Sequence, residues 1–263
     1  MIDFDKSFEE YAVKWFDAHK DDFATPDDME AALPELYERW ADEPEERLGG
    51  RSPRGYFEDI SDPDELAGML RDSKEPCSLL TDRLARAEGV DKGLLGIINS
   101  DCECQIRMTA MNLLNERGVY PFDVYAGWLR DGNVDSDVRE LAVEIMADNA
   151  ALAADLLFPL LDGADTELKT LIAEILVNAP KDERTYRLLT DLFLNGGNIP
   201  LYAGYIGKYG DERAAAMLYR ALDDCNYLEY LEIKNAIERM GGVVDDDRDF
   251  SDDMYYKAIK NLK

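Results

Sequence analysis

Apolar side chains recur along this chain with helical rather than strand spacing. From residue 76 onward they fall into short runs separated by glycine, proline or acidic breaks. The spacing predicts helices over 76–88, 91–99, 104–117, 121–130, 136–148, 150–161, 165–178, 182–194, 199–209, 211–223 and 228–240. Gly118, Gly132, Gly163, Gly196-Gly197, Gly210 and Gly241-Gly242 stand at the breaks, where glycine supplies the left-handed residue that closes a last helical turn. Asp101, Asp135, Asp165 and Asn198 precede helices, positioned to accept from free N–H groups. No alternating β-rich run of useful length occurs.

A second, longer period runs through these helices. Ile106-Arg107 is followed by Ala110 and Leu113, Val138-Arg139 by Ala142 and Ile145, and Leu168-Lys169 by Ile172 and Ile175. Looser copies start at Ile199 (Ala203, Ile206) and Ile233 (Ile237, Met240). A period of roughly thirty residues marks a repeat architecture, in which a helical hairpin cannot cover its own apolar stripes and must stack on its neighbours. In the hairpin of the second copy the partner helix has its own expected stripe, Leu152, Leu156, Leu157 and Leu160. Small residues at Ala110, Ala142 and Ala203 suit close helix approach.

Residues 1–75 read differently, as an acidic helical cap or small subdomain. Helices are expected over 7–20, 26–42 and 63–73, with Thr25-Pro26-Asp27-Asp28 as a strong helix start. Pro34 should kink or split the second, and Glu43 to Pro63 reads as a long loop. Residues 76–242 hold the repeats, and 243–263 an acidic linker and a last helix near 251–262.

The repeat helices resemble the second helix of HEAT-type repeats of the short bacterial kind. The likeness rests on Asp101, Ile106-Arg107, Ala110 and Leu113, and on Val138-Arg139, Ala142 and Ile145. It implies an all-α, right-handed α-α superhelix with the repeat helices lining the concave face. It also implies a ladder between a turn Asp and the basic residue six positions later. Asp101 and Arg107 fit that ladder; Asn133, Gly163 and Pro200 break it in later repeats. On this implied geometry Met108, Glu140 and Thr170 form one groove row, and Asn112, Glu144, Glu174 and Tyr205 another.

Charge narrows what such a groove would bind. The net charge is −28, and residues 1–73 alone hold 22 acidic against 8 basic side chains. A surface of this sign repels phosphate backbones, so nucleic acid and anionic membranes are not expected partners. Basic proteins or peptides gain in association rate from the same field. Solubility, or a salt-adapted proteome, would also account for the acidity. Tyr202, Tyr205 and Tyr209, at i, i+3 and i+7, share one helical face and suit either an interface or packing against the next repeat.

Catalytic and metal chemistry find little support, and no cofactor is expected. His19, the single histidine, has no identifiable partner. Cys102-x-Cys104 lacks the further ligands of a zinc site and reads as two small residues at a helix start. Asp245, Asp247 and Asp249 match the first positions of a calcium loop, but Phe250 and Tyr256 stand where glycine and a bidentate acid are needed. HEAT-like repeats also build DNA glycosylases, which need a basic concave face; the acidic rows here exclude that class. The four cysteines, the absence of a signal-peptide pattern and apolar runs shorter than about 18–20 residues lead to a cytoplasmic expectation. The functional expectation is a non-catalytic protein-interaction module, with an acidic inhibitor (an immunity protein or nucleic-acid mimic) as the alternative. Oligomeric state is not legible.

Overall fold

The computed structural model describes residues 2–245 and 248–260, all helical or irregular, with no strand among them. The chain divides into two compact units, Met1–Tyr120 and Pro121–Lys263. No helix among the described residues is long and apolar enough to cross a membrane.

The first unit holds α1 (Phe4–His19), α2 (Pro26–Asp42), α3 (Pro53–Glu58), α4 (Pro63–Asp72), α5 (Ser78–Arg86), α6 (Asp91–Ile98) and α7 (Cys104–Glu116). Local chemistry sets most starts: Asp3 accepts from Lys6 N, and Thr25 and Asp28 close a reciprocal capping box. α2 runs through Pro34 as one helix, since Pro34 is exposed and water can serve the carbonyl it leaves free. The stretch expected to be a long loop instead contains α3, capped by Ser52 with Pro53 in its first turn. Glu45 anchors what precedes it, accepting from Trp40 Nε1 (2.9 Å) and Ser7 Oγ (3.1 Å). α3 packs on α5, and α4 on α5 and α6, so the boundary expected at residue 75 lies inside this unit.

The second unit holds α8 (Phe122–Asp131), α9 (Ser136–Asp148), α10 (Ala150–Leu157), α11 (Thr166–Leu176), α12 (Glu183–Asn195), α13 (Ile199–Tyr209), α14 (Ala215–Ala221), α15 (Tyr227–Arg239) and α16 (Met254–Lys260). Helices pair as α8 with α9, α10 with α11, α12 with α13 and α14 with α15, and α9 also meets α11 as α13 meets α15. Most of the repeated apolar positions are buried, namely Val138, Ala142, Ile145, Ile172, Ile175, Ala203, Ile206, Ile233 and Ile237, while Leu168, Ile199 and Met240 are half-buried. Gly207 makes a close approach in the α13–α15 contact, where a Cβ would meet Ala236 Cα at 2.7 Å. Close packing of these two helices therefore depends on glycine at 207, with Ala203 fully buried on the same helix.

Two sequence expectations fail. Leu152 and Leu156 are 63% and 46% exposed, and α10 buries Ala150, Ala153 and Leu157 instead. A helix apolar on all sides has no unique stripe, and the face bearing two alanines allows the closer approach. The implied basic ladder also changes partners. Arg107 Nη2 donates to the Ser100 carbonyl (2.7 Å) rather than to Asp101, while Arg139 and Lys169 reach Glu167 (3.3 Å) and Asp191 (3.4 Å).

A different ladder joins the start of α12 to the turn that leads into α14. Asp-Glu-Arg occurs at 182–184 and again at 211–213. In each copy the Asp accepts from the Arg backbone N and pairs with its guanidinium at 2.9 and 2.8 Å. Arg184 then lies over the Phe158 ring (3.6 Å) and Arg213 over the Tyr186 ring (4.0 Å), each on the preceding hairpin. Arg213 also reaches Glu183 at 2.8 Å. The bidentate guanidinium holds Asp182 at a pKa of about 2, first through its side-chain hydrogen bond and then through the backbone N–H.

Candidate functional site

The inward repeat positions decide what faces out. With Val138, Ala142 and Ile145 buried, Glu140, Glu144 and Asp148 project from α9 at i, i+4 and i+8 as one exposed acidic ridge. Glu174 and Asn178 stand opposite on α11 and just beyond it, and Lys208 on α13. These side chains enclose a cleft of about 610 Å³ with Val143, Ala147 and Leu171 among its apolar lining. Arg139 at its edge is engaged by Glu167. Glu140, Glu144, Asp148 and Lys208 form no ion pair with any described residue. The cleft thus presents four carboxylates against one unengaged ammonium.

The tyrosines separate by burial. Tyr202 is 3% exposed, and its hydroxyl donates to Thr170 Oγ1 (3.0 Å), because the Thr170 proton goes to the Thr166 carbonyl (2.7 Å). Its ring leaves no room at Gly196, where a Cβ would meet Cε2 at 2.6 Å. Tyr209 is 6% exposed and is bonded to the Asp182 backbone. Tyr202 and Tyr209 are therefore packing residues, which corrects their assignment to a partner-binding face. Tyr205 is half-buried and donates to Glu174 Oε2 at 3.4 Å. Burial, then the Glu174 charge, raises its phenol above the ordinary range, so it is held as a neutral donor.

Comparison with family models, with curated proteins and with solved structures finds no match for this chain. The site therefore stands on its own geometry.

Of the remaining expected groove residues, Met108 and Asn112 belong to α7 of the first unit. Met108 is half-buried, with Cys104 Sγ 3.6 Å from its sulfur, and Asn112 is exposed. Glu140, Glu144 and Glu174 share the cleft; Thr170 does not line it and is hydrogen-bonded to the buried Tyr202. Asp148 and Lys208 were not anticipated. The first follows from continuing the i+4 series of α9, whereas nothing local places Lys208 opposite that series.

The other candidates resolve into structural roles. His19 stacks on Trp15 (4.1 Å), and its Nδ1 lies 2.7 Å from the Trp15 carbonyl. Cys102 Sγ faces the Ile97 carbonyl at 3.5 Å. In the acidic C-terminal run, Asp249 accepts from Ser251 N, and Asp253 accepts from Tyr255, Tyr256 and Tyr227 N–H groups. Asp247 of the calcium-like pattern lies outside the described residues, as does the expected end of the last helix.

Proposed function

We propose that this chain is a HEAT-like right-handed α-solenoid that works without catalysis, binding a basic segment of a partner protein in the acidic cleft of α9, α11 and α13. The observation that carries the reading is the convergence of Glu140, Glu144 and Glu174 on one open cleft with an apolar lining. Lys or Arg side chains would pair with the ridge while their stems, or interleaved apolar residues, cover Val143 and Leu171. Successive helical hairpins that share buried positions support the solenoid. The cytoplasmic address is part of the same proposal.

A labelled peptide alternating Lys or Arg with Leu, followed by fluorescence anisotropy, tests the reading. Exchanging Glu140, Glu144 and Glu174 together for Lys removes three exposed pairs worth about 0.2–1 kcal/mol each, so affinity should fall by about threefold to a hundredfold. Unchanged binding sinks the cleft. The inhibitor alternative predicts a steep loss of affinity between low and physiological salt, with little dependence on the apolar positions of the peptide.

A further inference from the structure

The first unit carries a second concavity, unlike the cleft on α9. A cavity of about 560 Å³ opens between the start of α1, α3, the end of α4 and the start of α5. Its floor is apolar: Phe4, Phe57 and Leu80 are buried core residues that line it beside half-buried Met69. Phe4 lies 4.9 Å from Phe57 and 5.5 Å from Tyr56, so the floor is largely aromatic. Cys77 completes it, and burial pushes its thiol up, so it contributes surface rather than a thiolate.

The rim is acidic. Asp3, Asp5, Asp72 and Glu75 line the opening. Asp3 is used as the cap of α1 and Asp72 is paired with Arg71, whereas Asp5 and Glu75 have no hydrogen bond or ion pair with any described residue. An acid in the first turn of a helix ordinarily finds a favourable field. Asp5 is the reverse case: though its side chain is exposed, partial desolvation at the rim, and then the charges of Asp3, Glu75 and Glu9, hold its carboxyl above the usual range. The only lining cation among the described residues is exposed Lys74. Uncompensated carboxylates above an aromatic floor complement one kind of ligand, a positive charge joined to an apolar body.

We propose that this cavity is a binding site for a small organic ammonium ion, with its charge between Asp5 and Glu75 and its apolar body on Phe4, Phe57 and Met69. The site is independent of the α9 cleft and of whatever partner occupies it.

Calorimetry with the full chain tests the assignment, using 2-phenylethylammonium as probe. Methyl spectra of Met69 and Leu80 locate the binding. The expected dissociation constant is about millimolar or tighter for a probe of this size. Two comparators divide the contributions: 2-phenylethanol keeps the body without the charge, and ethylammonium keeps the charge without the body. Each should bind at least tenfold more weakly. Asp5→Asn with Glu75→Gln should erase the preference for amine over alcohol, while Glu144→Lys should leave it intact. Both rim residues are exposed, and Glu75→Gln alone serves if the double variant folds poorly. Equal binding of amine and alcohol, or of the two ammonium ions, would overturn the proposal. So would amine binding that leaves the Met69 and Leu80 methyl signals unmoved.

Discussion

The Tyr209 hydroxyl lies 2.6 Å from the backbone nitrogen of Asp182 and 3.1 Å from the carbonyl of the same residue. It accepts from one and donates to the other, tying the end of α13 to the start of α12. Lys181 reinforces the junction by donating to the Gly210 carbonyl at 2.7 Å. Tyr209→Phe keeps the ring and strands the Asp182 N–H. It should cost about 1–2 kcal/mol, read as a lower urea midpoint with an unchanged slope.

The two glycines of α13 should respond oppositely to alanine. At Gly207 the added methyl meets the Ala236 backbone, and overpacking of this kind costs about 1–3 kcal/mol. At Gly204 the nearest atom is Glu232 Oε2 at 3.9 Å, so alanine gains about 0.5–1 kcal/mol from helix propensity. Thermal melts of the two variants check the contrast. Equal shifts would contradict the close approach of α13 and α15.

Leucines 156 and 157 are neighbours with different surroundings. Leu157 is fully buried and Leu156 is 46% exposed. Leu157→Ala should cost about 2–5 kcal/mol and Leu156→Ala well under 1. Chemical denaturation of both reads which face of α10 is inward.

Acid sensitivity should pass in part through Asp182. Its folded pKa of about 2 lies below the usual carboxylate value of about 3.9, so the Arg184 pair stabilises the fold above that value. The contribution is lost as pH falls from about 4 to about 2. Asp182→Asn should therefore be less stable than the parent at pH 6, by under about 1 kcal/mol because the pair is solvent-screened. The two proteins should converge near pH 2. A gap that persists at low pH would mean that the carboxylate charge is not what matters.

Helix positions were readable because their determinants are local. Thr25-Pro26-Asp27-Asp28, Asp165 and Gly210 announce starts and stops within a turn, and the helices they bound fall within a few residues of expectation. α3 escaped because Ser52-Pro53, a sound helix start, sits among glycines that suggest a loop. Tertiary faces were less legible. The i, i+3, i+7 spacing of Tyr202, Tyr205 and Tyr209 says that they share a face, but their burial is decided by Thr170, Gly196 and Asp182, which come from other segments. The acidic cleft was half visible. Glu140 and Glu144 follow from the phase of the repeat, while Lys208 depends on how α13 comes to rest beside α11. The arginine ladder was present as a repeated Asp-Glu-Arg, yet its aromatic partners Phe158 and Tyr186 lie on the preceding hairpin.

The ridge of Glu140, Glu144 and Asp148 owes nothing to the interior. Its carboxylates hold no helix end and pair with no neighbour among the described residues, while caps, stacked arginines and close glycines maintain the frame elsewhere. Substitution along the ridge can therefore proceed one residue at a time, with every intermediate still folded. A lineage that keeps the buried positions is free to change the charge and shape of the cleft without a matching change in the core.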